Sequence, residues 1–111
     1  MNDRKIDPHE AVDYIIKHAG RFANAHAERI YIEQYRKSLK AMLMIKSGNK
    51  VISAQERDAY AHQDYRDLLD GLRAAVEVEE KLRWDLIAAQ ARIEVWRSQE
   101  ATNRTQAKMA L

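Results

Sequence analysis

The chain has 111 residues, 19 Lys and Arg against 17 Asp and Glu, and a formal net charge of +2, a soluble composition without extreme polarity. It has no cysteine, which excludes disulfides, thiolate nucleophiles and thiolate metal sites and fits a reducing compartment. Three glycines and one proline in a background of Ala, Leu, Glu, Lys, Arg and Gln describe long helices rather than sheets. The opening MNDRKIDPHE lacks the apolar core of a signal peptide. The longest aliphatic run, Ala41 to Ile45, is far short of the ~20 residues of a membrane span. A single cytoplasmic domain over residues 1–111, with frayed ends at about 1–6 and 106–111, is the expectation.

In chain order, Asp7-Pro8-His9-Glu10 is a helix start. Asp7 accepts from orphan amides, Pro8 suits the first helical position, and Glu10 stands where a capping box places its acid. The helix reads on to about Ile45 or Lys46. Its apolar stripe is Val12, Ile16, Ala19, Ala23, Ala27 and Ile30, flanked by Ile15 and Phe22. Ile32, Tyr35, Leu39, Met42 and Leu43 continue the face after a phase shift between Arg29 and Glu33, which predicts a stutter or gentle bend. Ser47-Gly48-Asn49-Lys50 is the stop, with Gly48 or Asn49 expected as a left-handed cap. Ser53-Ala54-Gln55-Glu56 reads as a second capping box opening a short helix to about Ala61. His62-Gln63-Asp64 marks a corner or cap, and a long helix follows from about Asp64 to Thr105.

That last helix carries the clearest pattern in the chain. Tyr65, Leu68, Leu72, Ala75, Glu79, Leu82, Leu86, Ala89, Ile93, Trp96 and Glu100 recur at alternating spacings of three and four, apolar at every place except Glu79 and Glu100. Two long helices joined by a short connection must run antiparallel, so the predicted fold is all-α, an elongated helical hairpin with a short connecting helix. A second apolar row, Trp84, Ile87, Ala88, Ala91 and Val95, lies on the far side of the last helix. A helix apolar on two faces seeks two partners, so self-association through this row is expected, a helical-bundle dimer being the simplest homo-oligomer. Glu79, a polar residue at a heptad core position, either sets register or packs its stem while its carboxylate reaches water.

Little in the sequence points to catalysis. His9, His18 and His26 are separated by nine and eight residues, not the four that set two imidazoles on one metal, and no Glu-x-x-His pair occurs. No serine sits in a nucleophile elbow and no glycine-rich loop is present. The expectation is a non-enzymatic protein without cofactor or metal. Charge is more suggestive. Arg36, Lys37, Lys40, Lys46 and Lys50 fall in an acid-free run with Tyr35 just upstream, a pattern that neutralises phosphates and stacks bases, or that meets an acidic protein. Against it, Asp64 to Asp85 holds seven acids and four bases.

Glu56 to Arg104, ERDAYAHQDYRDLLDGLRAAVEVEEKLRWDLIAAQARIEVWRSQEATNR, together with YIEQYRKSLKAMLM from Tyr31 to Met44, resembles small uncharacterised all-helical proteins of tailed phages and prophages. That resemblance implies an accessory role in DNA metabolism or host takeover, in the host cytoplasm, and supplies no catalytic residues. Two readings follow. One is a helical oligomer that binds nucleic acid or a host or phage DNA-processing protein. The other is a pure protein–protein adaptor or inhibitor of a host protein with no nucleic-acid contact.

Overall fold

The computed structural model describes residues 5–110; the expected frayed positions 1–4 and 111 lie outside them. Three helices account for the described chain, α1 Pro8–Lys46, α2 Ile52–Ala61 and α3 Gln63–Ala110, with no strand among them. The start of α1 is as the sequence dictates. Asp7 Oδ1 accepts from the amides of His9 at 2.9 Å and Glu10 at 3.3 Å, satisfying two donors that have no intrahelical partner. At the other end α3 continues five residues past the expected Thr105, with exposed side chains along that extension.

Both interior junctions differ from expectation in detail. No described residue, glycine included, has a positive φ, so neither Gly48 nor Asn49 forms a left-handed cap. A polar knot ends α1 instead. The Ser47 amide closes a short turn on the Met44 carbonyl, and the Ser47 hydroxyl donates to Asp58 Oδ2 at 2.7 Å. Asn49 also donates to Asp58, and Gln55 Nε2 reaches back to the Asn49 carbonyl at 2.9 Å. These bonds, the one from Ser47 first, hold the Asp58 carboxyl below its ordinary range. Ser53 is not the cap of α2, because it lies inside the first turn. The helix opens at Ile52 after Val51, which offers no side-chain cap, and the Gln55 amide bonds to the Val51 carbonyl.

His62 is the whole corner between α2 and α3. Its backbone is extended (φ −68°, ψ 141°), and its amide still closes on the Ala59 carbonyl. Its ring Nδ1 accepts from the Asp64 amide at 3.0 Å, as a serine or aspartate would at an ordinary helix start.

α1 and α3 form a helical hairpin, packed in two compact groups. One comprises Ala23–Glu80; the other joins residues 5–22 to 81–110. The heptad stripe of α3 is the inward face as predicted, every position from Tyr65 to Glu100 being buried or half-buried. The predicted stripe of α1 is not. Val12, Ile16, Ala19, Ala23, Ala27 and Ile30 are all exposed, Ile16 at 73%. The buried face consists of Ala11, Ile15, His18, Phe22, Ala25, Arg29, Ile32, Leu39 and Leu43, about 100° round the helix from the predicted row. This face keeps its three-four spacing from Ala11 to Ile32 and resumes in the same phase at Leu39, the exposed Arg36 standing at the place between, so α1 needs no stutter near Arg29. The physical reason for the rotation is Glu79. A buried carboxylate must be paired, and only this phase of α1 brings Arg29 and His26 to it.

In the group Ala23–Glu80 the apolar core is small: Leu43, Ala59 and Tyr65, with Leu39 and Met44 packed against them. Tyr60 meets Tyr65 edge-on at 5.2 Å. In the other group Tyr14 stacks on His18 at 3.9 Å, the His18 Nδ1–H donates to the Tyr14 carbonyl, and Arg83 lies over the Phe22 ring at 5.2 Å. Burial and then the neighbouring Asp85, which hydrogen-bonds its hydroxyl, push the Tyr14 phenol up.

Candidate functional site

Glu79 anchors the one buried charge cluster among the described residues, at 2% exposure. Arg29 Nε donates to Oε1, Arg29 Nη2 reaches Oε2 at 3.2 Å, and the His26 Nδ1–H donates to Oε2. Arg29 Nη1 extends the network to Glu33 at 3.0 Å. The Arg29 bonds, with His26 behind them, hold the Glu79 carboxyl down to about 2 against the opposing effect of burial. Its partners in turn raise the Arg29 guanidinium, Glu79 more than Glu33. The carboxylate therefore does not reach water. It is a fixed anion that dictates which face of α1 turns inward, and it leaves no buried side-chain polar atom unsatisfied among the described residues. His26, at the boundary, orients with it.

The expected basic and aromatic segment is spread round α1 rather than gathered. Arg36, Lys37, Lys46 and Lys50 are exposed. Arg36 and Lys37 point about 100° apart because they are adjacent on a helix. Lys46 and Lys50 stand at the end of α1 and in the loop after it. Lys40 is engaged inside the fold: its Nζ lies 3.6 Å from Glu56 Oε1 and 4.8 Å from the centre of the Tyr60 ring. The Tyr60 hydroxyl first, then Glu56, raise its pKa.

Tyr35 is outward-facing, its ring stacked at 6.1 Å and 13° on that of Tyr31. These two begin a row that the sequence reading did not separate from the core. Tyr31, Tyr35, Ser38, Met42 and Ile45 share one outer face of α1, while Leu39 and Leu43 turn inward. Ile45 is 85% exposed, and Val51 and Ile52 follow it, also exposed, in the loop and at the start of α2. The signal was present as a second three-four spacing, from Tyr31 to Ile45, interleaved with the buried one.

On α3 the structure keeps the expected outer row together. Trp84 is 62% exposed, and Ile87, Ala88, Ala91 and Val95 are exposed beside it. Next to this row a groove of about 430 Å³ is lined by Asp7, Glu10, Ala11, Tyr14, Asp85, Ala88, Ala89 and Arg92. Among the described residues no group of three or more His, Asp or Glu is placed to hold a metal ion, and no helix is long and apolar enough to cross a membrane. Comparison with known protein families, curated proteins and solved structures finds no match.

Proposed function

We propose that this chain is a non-enzymatic accessory protein of the kind found in tailed phages and prophages, acting by docking its helix faces onto other helices. It self-associates through the outer row of α3 and engages a DNA-processing protein through the outer row of α1. The supporting observation is the number of large apolar side chains that stand outward on both long helices: Ile16, Tyr31, Met42 and Ile45 on α1, Trp84, Ile87 and Val95 on α3. Scattered single apolar residues are ordinary on a surface. Rows at helical spacing are the mark of a helix-binding face.

Direct contact with nucleic acid is the second reading, favoured by the outward Tyr31–Tyr35 stack with Arg36 and Lys37 exposed next to it. It is weakened by Lys40, whose charge is already satisfied by Glu56 and Tyr60. The deciding experiment is capture of partners from host lysate with and without nuclease, using wild type, Ile45→Glu and the pair Arg36→Glu with Lys37→Glu. The protein-docking reading expects capture that survives nuclease and is lost with Ile45→Glu. Loss on nuclease treatment, or with the arginine and lysine reversals alone, transfers the function to nucleic acid.

A further inference from the structure

The outer row of α3 has a chemistry that fits one occupant well, the same row of a second copy. We infer that two copies pair α3 against α3 antiparallel, about a two-fold axis crossing the helix between Ala89 and Gln90. This rests on the self-association reading above and adds its geometry.

Three observations support it. The first is shape. Trp84, Ala88, Ala91 and Val95 follow a four-three-four spacing, so antiparallel pairing sets Trp84 of each copy over Val95 of the other, and Ala88 over Ala91. Small residues at the centre let the backbones approach, with bulky ones closing each end. The second is a place for the indole. A shallow hollow of about 410 Å³ adjoins Val95 on the same outer face, lined by Glu94, Val95 and Ser98 among others, where the Trp84 ring of the second copy falls. An exposed Trp opposite an unfilled hollow is the usual anchor of a helix interface.

Charge decides the orientation. In an antiparallel pair, flanking positions of one kind meet their own kind, which sets Asp85 beside Arg92 of the second copy, twice by symmetry. In a parallel pair Asp85 would face Glu80 of the second copy and Arg92 would face Ile87. Asp85 accepts from Lys81 at 3.1 Å on its own helix and from the Tyr14 hydroxyl on α1, and its two carboxylate oxygens keep lone pairs for a further cation. Arg92 is exposed and makes no ion pair among the described residues. An interface of roughly three helical turns lies at the small end of stable contacts, so the dimer is concentration-dependent.

Charge reversal tests it by sedimentation equilibrium, with circular dichroism confirming that each variant is folded. Asp85→Arg should weaken the dimer about tenfold or more, because two attractive pairs become repulsive. Arg92→Asp, which breaks no ion pair among the described residues, should do the same, and the double variant Asp85→Arg with Arg92→Asp should recover most of the affinity. A strengthened dimer with Asp85→Arg would mean parallel pairing against Glu80 and would overturn the inference. Disulfide exchange between Ala88→Cys and Ala91→Cys chains gives an independent reading: the mixed 88–91 disulfide should dominate, and dominance of like-with-like disulfides would overturn the antiparallel assignment. A wild type that stays monomeric defeats the self-association reading itself. A wild-type dimer indifferent to these reversals defeats only the geometry.

Discussion

Replacing Leu43 by Ala tests which faces of α1 are buried and how strongly. Leu43 is 3% exposed and packs on Ala59, which is fully buried, and on Tyr65. Removal of three carbons at about 0.8 kcal/mol each gives a transfer loss near 2.4 kcal/mol. A cavity contribution brings such losses to about 2–5 kcal/mol. The cluster is small and Met44, an adaptable side chain, adjoins it, so partial collapse holds the expected cost to about 2–3 kcal/mol. In a chain of this size that lowers the melting temperature by roughly 10–20 °C. Leu82 and Leu86, on the α3 stripe, are only half-buried and should cost about 1–2 kcal/mol when cut to Ala. Ile16→Ala should fall within about 0.5 kcal/mol of wild type. Urea unfolding followed by far-ultraviolet circular dichroism gives all of these on one scale. An Ile16→Ala loss as large as that of Leu43→Ala would mean that α1 packs through the other stripe, and the assignment of its inner face would fall.

Acid titration should expose the Glu79 cluster. The folded carboxyl is held at about 2, against 4.5 for the free group, so its stabilisation is complete above pH 4.5 and is lost as pH falls toward 2. Glu79→Gln should flatten that dependence when unfolding is measured across the range, and an unchanged acid limb would contradict the pairing with Arg29. Asp7→Ala removes the cap of α1 and should cost about 1 kcal/mol, visible in hydrogen exchange as faster opening of the first turn only; protection unchanged at His9 and Glu10 would refute the cap.

The parts of the fold most legible in the sequence were those governed by local rules. The three-four spacing of α3 needs no knowledge of the partner helix, and Asp7-Pro8 caps α1 with its own atoms. The phase of α1 was hidden because two apolar rows run along it and the richer one faces outward. Only a contact fifty residues away in sequence, Arg29 with Glu79, selects the poorer row, and a periodicity reading cannot weigh a charge pair against several alanines. The same blindness affected the end of α1. A glycine signalled a left-handed cap, yet hydrogen bonds from Ser47 and Asn49 to Asp58, supplied by the next helix, made one unnecessary. Of the candidate site, the α3 row was visible as residues facing away from the heptad stripe. The dispersal of the basic residues was visible only in part, since the engagement of Lys40 by Glu56 and Tyr60 requires α2 to fold back beside α1.

The central claim is that the outward apolar rows are docking faces, and sedimentation equilibrium on wild type beside Trp84→Glu tests it most directly. Trp84 is 62% exposed in the subunit, so the variant should keep its helix content and most of its melting behaviour. The account predicts that wild type moves from the 12.9 kDa monomer toward twice that mass at tens of micromolar, while Trp84→Glu remains at 12.9 kDa. Wild type fixed at the monomer mass throughout, or a variant that associates as well as wild type, would contradict it.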